Sequence, residues 1–385
     1  GRGDGTFNTQ VRYRGGPYPQ FVAVGDFNGD GAEDLAVASG NSNDVSIFLG
    51  RGDGAFGSPT SFSVGIDPRS IVVADLDRDG KLDLAVTNRF SNDISILRGL
   101  GDGSFAPQAR FAAGERPVGV ASGDFNADGR PDLAVVNEGF LSSTVSILPG
   151  LGDGTFGPQL LLGVGVLPSA VALGDFDGDQ TQDLAVTNRF SDNVSILMGQ
   201  GKGRFAGERQ IRAGSTPRSL AAADFDADGH QDLMIGNETT GDVSVLLGDG
   251  AAGFGPETRV PAGSVAVYIA PGDFDGDGHL DVAEANSGSD NVGILLGRGD
   301  GTFRSGGSLV TGAAPSSIAV GDFDEDGRTD LAVGGRESVD VFQGQGDGGF
   351  RAGVRLPFEP FDVPFGVVVG DFDADGHLDL VAAEY

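Results

Sequence analysis

Short apolar runs separated by turns rich in glycine and aspartate dominate the hydrophobic pattern of this chain. One stretch contains four such runs, at 117–125 (PVGVASGDF), 132–137 (DLAVVN), 144–150 (TVSILPG) and 159–165 (QLLLGVG). The third run alternates apolar and polar positions, as a half-buried strand does, and the turn at 150–156 (GLGDGTF) is typical of a hairpin. The stretch therefore predicts one unit of four antiparallel strands joined by short connections.

The same unit recurs along the whole chain. An aspartate-rich loop follows the first strand of each unit, and its copies are spaced by 49 residues, with one spacing of 51; they begin at Asp26, Asp75, Asp124, Asp175, Asp224, Asp273, Asp322 and Asp371. No segment of useful length has the periodicity of a helix. The pattern predicts an all-β fold, an eight-bladed β-propeller of four-stranded antiparallel blades, in which residues 1–385 form a single domain of eight repeats. The alternative is a seven-bladed ring plus an extra repeat.

The order of strands at the two chain ends predicts an unusual closing blade. The sequence begins at a fourth strand and stops after a second strand, so the repeats supply one third strand too few. We expect the last blade to combine residues 365–369 and 379–385 with a segment near Val11. One strand of this blade should be absent or supplied by another chain, which would leave an exposed edge.

Glycine and phenylalanine recur at fixed places in the repeat. The 67 glycines mark turns, and the first strands carry small residues, as a crowded central channel requires. A phenylalanine follows the first aspartate in most copies, and another closes each glycine-rich turn. We expect these rings to pack between blades.

The aspartate loops follow the pattern DxDxDGxxD, which has the chemistry of a calcium site. Carboxylates at positions 1, 3 and 5 can converge on one point, glycine at position 6 permits a sharp turn, position 7 offers a carbonyl, and the aspartate at position 9 can close the site bidentately. Magnesium is less suited to so many protein carboxylates. The predicted ligands, in loop order, are Asp26, Asn28, Asp30, Ala32, Asp34; Asp75, Asp77, Asp79, Lys81, Asp83; Asp124, Asn126, Asp128, Arg130, Asp132; Asp175, Asp177, Asp179, Thr181, Asp183; Asp224, Asp226, Asp228, His230, Asp232; Asp273, Asp275, Asp277, His279, Asp281; Asp322, Asp324, Asp326, Arg328, Asp330; and Asp371, Asp373, Asp375, His377, Asp379.

The loops predict about eight structural Ca²⁺ ions per chain. Three loops should bind more weakly, because Asn28 and Asn126 lower the ligand charge and Gln180 replaces the glycine at position 6. Without metal, the converging carboxylates repel one another, so the ions should stabilise the fold rather than perform chemistry.

The combination GDF(D/N)xDGxxDLAV followed by VSILLGxGDGxF resembles the FG-GAP or VCBS repeat family across the whole chain. The resemblance implies a calcium-bearing β-propeller of the kind found in the head of integrin α subunits, in a fungal sugar-binding lectin and in bacterial secreted or surface proteins. It therefore implies an extracellular or cell-surface location and a role in binding, adhesion or scaffolding.

The end of the propeller opposite the aspartate loops is the expected binding surface, because its connections vary. A protein or a glycan could bind there, and a carbohydrate-binding lectin with repeated pockets is the first alternative; Phe90 and Phe190, in matching NRFS loops, are its aromatic candidates. Arg89, Glu138, Arg189, Glu238, Ser287 and Arg336 occupy equivalent positions, and the alternation of charge predicts salt bridges between blades. The asparagines before them, such as Asn88, should cap the turns.

Composition excludes several classes of function. A net charge of −31 disfavours nucleic acid as a partner, the absence of cysteine excludes disulfides, and no run is apolar enough for membrane insertion. Near-identical repeats favour a scaffold over an enzyme. A carboxylate-based polysaccharide lyase or hydrolase using Glu138, Glu238 or Glu284 on the variable face is the second alternative.

Overall fold

The computed structural model describes residues 1–140, 143–251, 253–358 and 364–384, and these residues form thirty strands. The strands are β1 (Pro19–Gly25), β2 (Asp34–Ser39), β3 (Asp44–Phe48), β4 (Thr60–Ser63), β5 (Pro68–Ala74), β6 (Asp83–Asn88), β7 (Asp93–Leu97), β8 (Ala109–Ala112), β9 (Pro117–Gly123), β10 (Asp132–Asn137), β11 (Thr144–Leu148), β12 (Leu160–Gly163), β13 (Pro168–Gly174), β14 (Asp183–Asn188), β15 (Asn193–Leu197), β16 (Arg209–Arg212), β17 (Pro217–Ala223), β18 (Asp232–Asn237), β19 (Asp242–Leu246), β20 (Thr258–Pro261), β21 (Ala266–Gly272), β22 (Asp281–Asn286), β23 (Asn291–Gly297), β24 (Phe303–Val310), β25 (Ser317–Gly321), β26 (Asp330–Gly334), β27 (Ser338–Gly344), β28 (Phe350–Pro357), β29 (Pro364–Gly370) and β30 (Asp379–Glu384). The described residues contain no helix long and apolar enough to cross a membrane.

The strands form eight antiparallel sheets, which we call blades 1 to 8 in chain order. Blades 1 to 7 each have four strands in sequential order, from β1-β2-β3-β4 to β25-β26-β27-β28, and blade 8 pairs β29 with β30. The first strand of each blade contacts the first strand of the next, and β29 contacts β1, so the eight first strands close a ring. The all-β propeller predicted from the repeats is confirmed.

Burial varies in the same way across the strands of the complete blades. The second strands, such as β6 and β10, are buried at every position, because they lie in the middle of a sheet and between two neighbouring blades. Their sequences are accordingly almost uniformly apolar rather than alternating. The fourth strands, such as β8, are largely exposed and form the outer rim.

Phenylalanine pairs join consecutive blades, as the repeat predicted. The ring that follows the first aspartate of one loop meets the ring that closes the turn of the next blade, with centroids 5.6 Å apart for Phe27 and Phe105 and 6.2 Å apart for Phe225 and Phe303. Blades 8 and 1 are joined in the same way by Phe372 and Phe56. Most interfaces therefore reuse one ring pair, edge-to-face or tilted, whereas Leu76 takes the place of the first ring between blades 2 and 3.

Both chain ends contribute to blade 8, although one predicted strand is missing. The described residues before Pro19 contain no strand, so the assignment of a strand near Val11 is wrong. A fourth strand needs a third strand to bond to, and no third strand lies beside β30 among the described residues. Tyr385, which was included in the predicted blade, lies outside the described residues.

Replacement of one buried ring tests the packing between blades. Phe225 is among the largest fully buried side chains, and we expect Phe225→Ala to lower the free energy of unfolding by about 3–5 kcal/mol, because it leaves a cavity between blades 5 and 6. Urea denaturation measures this change. The matched control is Phe190→Ala, whose ring is exposed and whose loss should change stability by less than ~0.5 kcal/mol. Equal effects of the two substitutions would contradict the packing described here.

Candidate functional site

Each aspartate loop is the tight connection between the first and second strands of a blade. In blade 2, the last pair of the β5–β6 ladder is Ala74 with Asp83, so the loop from Asp75 to Lys81 lies directly beyond the ladder. The equivalent pair in blade 1 is Gly25 with Asp34. Because all the ladders end at this register, the loops lie at the same end of the ring.

The aspartates at positions 1 and 5 hold the loop in shape by accepting backbone hydrogen bonds. In blade 2, Asp75 accepts from the N–H of Asp79 at 3.1 Å and of Gly80 at 3.0 Å, and Asp79 accepts from the N–H of Lys81 at 3.0 Å. Donors at the same positions recur in the other loops. These hydrogen bonds therefore fix the carboxylates at positions 1 and 5 relative to the backbone of the loop.

The aspartate at position 9 connects the loop to the rest of its blade. Asp83 is fully buried, and its two oxygens accept hydrogen bonds from the N–H of Leu76 at 2.9 Å and of Gly99, in the turn after the third strand, at 2.7 Å. The sequence predicted bidentate closure of a metal site by this residue. Since each oxygen already accepts one backbone hydrogen bond, only its remaining lone pair is available to a cation.

Carboxylates converge at the bottom of the loops. Single oxygens of Asp75, Asp77 and Asp83 all lie within 4.8 Å of one another. Equivalent groups in other loops include Asp175, Asp177 and Asp183; Asp224, Asp226 and Asp232; Asp273, Asp275 and Asp281; and Asp322, Asp324 and Asp330. These anionic oxygen donors match the preference of a hard divalent cation, so the residues fit a metal of this class.

The protonation behaviour of these groups reflects their crowding and burial. Burial raises the pKa of Asp83 to about 6, despite the two backbone hydrogen bonds that lower it. Burial, followed by the charge of Asp79, also raises the pKa of Asp77. Both effects disfavour the ionised form of these carboxyl groups. A bound cation would stabilise that form.

Gln180 occupies position 6 of the fourth loop in a left-handed conformation. Its φ of 67° is close to the 85° of Gly80, and its N–H donates to Asp175 at 2.9 Å just as Gly80 donates to Asp75. The loop therefore keeps its shape at the cost of about 1–2 kcal/mol of backbone strain for a residue with a Cβ. Weaker metal binding by this loop stays a prediction.

The opposite end of the ring contains the predicted salt bridges between blades. Arg89 of blade 2 contacts Glu138 of blade 3 at 2.9 Å, and Arg189 of blade 4 contacts Glu238 of blade 5 at 2.9 Å. Glu138 also contacts Arg116 at 3.7 Å. Both glutamates are thus occupied by arginines and link neighbouring blades, which confirms the interpretation of the alternating charges.

The asparagines that end the second strands lie inside the blades. Asn88 is fully buried, and its amide donates to Asp93 at 2.9 Å and to Ser95 at 2.8 Å. Ser95 also accepts the N–H of Gly65 at 3.2 Å, which ties the connection from the preceding blade to the sheet. The predicted structural role of these asparagines is confirmed.

Exposed apolar side chains on this variable end are concentrated on three blades. The loop-face patch consists of Ile66 (52% exposed), Phe90 (59%), Phe140 (61%), Val166 (45%) and Phe190 (69%). In blades 2 and 4 the same pairing recurs, since the N–H of the phenylalanine donates to the carbonyl of the aliphatic residue at 3.0 Å and 3.1 Å. The local fold therefore presents these side chains outward twice in the same arrangement.

One arginine side chain lies over each of two aromatic rings. The guanidinium of Arg89 lies 5.5 Å from the ring centroid of Phe90, and that of Arg116 lies 4.8 Å from that of Phe140. Because both arginines contact Glu138, these five side chains form one continuous surface across blades 2 and 3. Phe90 and Phe190 were predicted from the sequence, whereas Ile66, Val166 and Phe140 were not. Ile66 and Val166 stand two positions before a proline that begins a first strand, where blades 3 and 5 carry Glu115 and Ser215, and this difference was the available signal.

The proposed place of Glu284 on the variable face is wrong. Glu284 lies in the middle of β22, opposite Gly293, and is fully buried, with neither carboxylate oxygen hydrogen-bonded. Burial, followed by the charge of Asp242, raises the pKa of Glu284 to about 8. The residue stands where other second strands carry valine, such as Val86, and it cannot contact a polymeric substrate on the surface.

Comparison with known proteins agrees with this architecture. The sequence model of one family, described as FG-GAP-like repeat, matches seven overlapping stretches, at 26–86, 80–135, 124–186, 175–235, 224–284, 274–333 and 322–382. A search among curated proteins found no match.

Several solved structures resemble the fold at low sequence identity. A lectin from Agrocybe aegerita that recognises non-reducing terminal N-acetylglucosamine is 19% identical, with a TM-score of 0.57 and coverage of 96% of both chains. The exotype rhamnogalacturonan lyase YesX is 14% identical, with a TM-score of 0.62 and coverage of 95% of this chain and 70% of the lyase. BBS1N, solved in complex with ARL6DN, is 15% identical, with a TM-score of 0.55 and coverage of 83% of this chain and 89% of its own. Identities this low show the fold alone.

The buried aspartates at position 9 make the stability of the metal-free protein depend on pH. Burial raises the pKa of Asp83 and its equivalents Asp132, Asp183, Asp232, Asp281 and Asp330 from 3.8 to about 6. Between pH 3.8 and about pH 6 the folded state binds more protons than the unfolded state, so the stability of the fold decreases as the pH rises. We expect the Tm measured in excess chelator to fall between about pH 4 and pH 6 and then to level off.

Asp83→Asn removes one of these titrating groups and should make the fall in Tm shallower. Asp102→Asn, in an exposed turn of the same blade, is the control and should leave the slope unchanged. A Tm that rises across this pH range would contradict the assignment.

Proposed function

Because the chain belongs to the FG-GAP-like repeat family, we propose that it is a calcium-stabilised, extracellular or cell-surface propeller whose variable end binds a partner. It acts as a binding, adhesion or scaffolding module rather than as an enzyme. The proposal that a partner binds rests on the loop-face patch, since its exposed apolar side chains do not take part in the packing between blades. The proposal that the loops bind a metal ion rests on the convergence of their carboxylates.

Calcium is the cation that the loops suit best. Their donors are oxygen atoms of several carboxylates on a flexible loop, and Ca²⁺ accepts six to eight such ligands in variable geometry, whereas Mg²⁺ usually keeps several waters. In blade 5 the side chains of Asp224, Asp226, Asp228 and Asp232 would hold the ion, with the carbonyl of His230. An ion that binds only the folded state adds about 2.7 kcal/mol of stability per site when it is present at a hundredfold excess over its Kd.

Asp226→Asn tests this assignment in one loop. We expect weaker binding of one of the ions in a calcium titration, as predicted for the loops that carry Asn28 and Asn126, and a lower Tm than the native protein in calcium, because a ligand charge is lost while the backbone contact from Asp228 is kept. In chelator the same variant should be at least as stable as the native protein, since burial and neighbouring carboxylates raise the pKa of Asp226.

Asp300→Asn is the matched control for this experiment. Asp300 lies in an exposed turn, where it accepts hydrogen bonds from Thr302 alone. This variant should bind as many ions as the native protein. Unchanged calcium affinity at every site in Asp226→Asn would exclude its loop as a calcium site.

The contacts of the glutamates proposed for the lyase alternative favour binding over catalysis. Glu138 and Glu238, the surface carboxylates of the lyase alternative, are held by arginines, and Glu284 is buried. The lectin alternative is favoured by one observation: Phe90 and Phe140 place rings beside arginine and glutamate, which can stack on a sugar and hydrogen-bond to its hydroxyls. The named activity of the Agrocybe aegerita neighbour is consistent with that alternative, and the BBS1N complex with a protein is consistent with adhesion.

A double substitution, Phe90→Ser with Phe190→Ser, tests the variable end. We expect it to abolish binding to a glycan array or to a panel of purified cell-surface proteins, whichever retains the native protein, because it removes the two most exposed rings of blades 2 and 4. Glycan binding that free sugar competes away would identify a lectin, and binding to proteins alone would identify an adhesion module.

Leu100→Ser with Leu151→Ser is the control for that substitution. These leucines have exposures of 52% and 49% and lie in the turns after third strands, at the calcium end. The control should bind like the native protein. Binding that survives the phenylalanine substitutions, or that the leucine substitutions abolish, would place the binding surface elsewhere.

A further inference from the structure

The aspartate at position 3 of the loop is held differently in blades 6 and 7 than in most other blades. In blade 5, Oδ1 of Asp226 accepts the N–H of the residue at position 5 at 3.2 Å, and equivalent contacts occur in blades 1, 2, 4 and 8. In blade 6, Oδ2 of Asp275 accepts a hydrogen bond from Arg304 at 2.9 Å, and in blade 7, Oδ2 of Asp324 accepts one from Gln343 at 2.6 Å. A side chain from another strand thus replaces the backbone of the loop as the donor.

The other oxygen of each of these two aspartates is buried and has no hydrogen-bond partner among the described residues. This is true of Oδ1 of Asp275, whose side chain is 9% exposed, and of Oδ1 of Asp324. One oxygen of Asp275 also lies within 4.8 Å of oxygens of Asp273 and Asp281. Burial of an unpaired carboxylate oxygen among other carboxylates is costly, and a cation is the ligand that suits it.

The hairpin of the third and fourth strands is extended toward the aspartate loop in these two blades. In blade 6 the ladder of β23 and β24 continues to the pair Gly297 and Phe303, and in blade 7 the ladder includes Gln343 with Arg351, whereas blades 1 to 5 have an isolated bridge at this place. Arg304 lies in this extension, directly after the phenylalanine that closes the turn, where blades 1 to 5 carry glycine or alanine. A long polar side chain on the extended hairpin therefore reaches the loop of its own blade.

We propose that Arg304 and Gln343 are positioning residues for the cations of blades 6 and 7. Each donates a hydrogen bond to one oxygen of the aspartate at position 3 and leaves the other oxygen to coordinate the metal. The proposal rests on the calcium sites proposed above, and it adds residues outside the DxDxDGxxD pattern that set how tightly two of these sites bind. Hydrogen bonds of this kind orient the ligands of a metal, and their loss lowers metal affinity by roughly 10- to 100-fold.

The two residues differ in charge, which separates orientation of the ligand from electrostatic repulsion of the ion. The guanidinium of Arg304 repels a cation, so the loss of its charge alone would raise the calcium affinity of blade 6. Gln343 is neutral, so its loss removes the hydrogen bond to Asp324 without changing the charge of the site. Orientation therefore predicts that replacement of either residue lowers the affinity.

Gln343→Leu tests the proposal without a change of charge. The free Ca²⁺ concentration that half-protects the amides of residues 322–330 from hydrogen exchange measures the affinity of this loop alone. We expect the substitution to raise that concentration by about tenfold. Residues 224–232 of blade 5 should keep the native midpoint. Gln345→Leu, in the exposed turn that follows, is the matched control and should leave both midpoints unchanged.

Arg304→Met is the second variant, and its side chain is 47% exposed, so the substitution leaves the core intact. We expect it to raise the midpoint for residues 273–281 by about tenfold. Arg298→Met, in the turn between β23 and β24, removes the same charge and should not raise that midpoint. Equal midpoints in the two arginine variants, or an unchanged midpoint in Gln343→Leu, would overturn the proposal.

The native protein distinguishes failure of this proposal from failure of the calcium assignment. If Ca²⁺ protects none of the loops of blades 5, 6 and 7 in the native protein, the loops are not calcium sites and both proposals are wrong. If Ca²⁺ protects the loops of the native protein and of the Arg304 and Gln343 variants with the same midpoints, the loops bind calcium and only the positioning role is wrong.

Discussion

The buried carboxylate at position 9 of each aspartate loop is the contact on which the blades depend. It lies at the start of the second strand, and its two oxygens accept backbone hydrogen bonds from the loop before it and from the turn after the third strand. One buried side chain thereby connects three elements of the blade, namely the aspartate loop, the second strand and the turn after the third strand. A buried carboxylate is costly unless it is hydrogen-bonded, so the loop, the strand and the turn must form together.

The same residue links the shape of the loop to its affinity for cations. The carboxylate of Asp75 accepts hydrogen bonds from the backbone of its own loop, and one of its oxygens lies within 4.8 Å of oxygens of Asp77 and Asp83. The fold thus creates the charge repulsion that a cation would relieve. At position 9 the strength of the blade and the demand for a metal have one origin, so a change of that aspartate alters both.

Features that repeat along the chain could be predicted from the sequence, and features that break the repeat could not. The hairpin loops, the ring pairs such as Phe27 with Phe105, and the bridge from Arg89 to Glu138 follow from spacing, because each occurs in a series of equivalent positions. The strand expected near Val11 did not form, since a fourth strand needs a third strand to bond to and none lies beside β30 among the described residues. Glu284 was misplaced because its charge suggested a surface, whereas alignment with Val86 shows a buried position.

The variable end illustrates a further limit on inference from sequence. Ile66 and Val166 read as ordinary apolar residues before a strand, and only the backbone contacts to Phe90 and Phe190 show that they point outward. A propeller blade has little freedom at its aspartate loop, where the carboxylates at positions 1, 5 and 9 accept backbone hydrogen bonds. At the opposite end the connections carry side chains that the core does not need, and there the chain can diversify while the ring stays unchanged.

The contact of β29 with β1, where Phe372 meets Phe56, joins blades that lie far apart in the sequence, whereas the contacts within a blade join neighbouring hairpins. Local hairpins form early in folding and contacts of long sequence separation form late, because the entropy of closing the intervening loop must be overcome first. We expect the blades to assemble in a row and the ring to close last at this joint. If blades 1 and 8 were pulled apart, the propeller would open at this joint into an arc of intact blades.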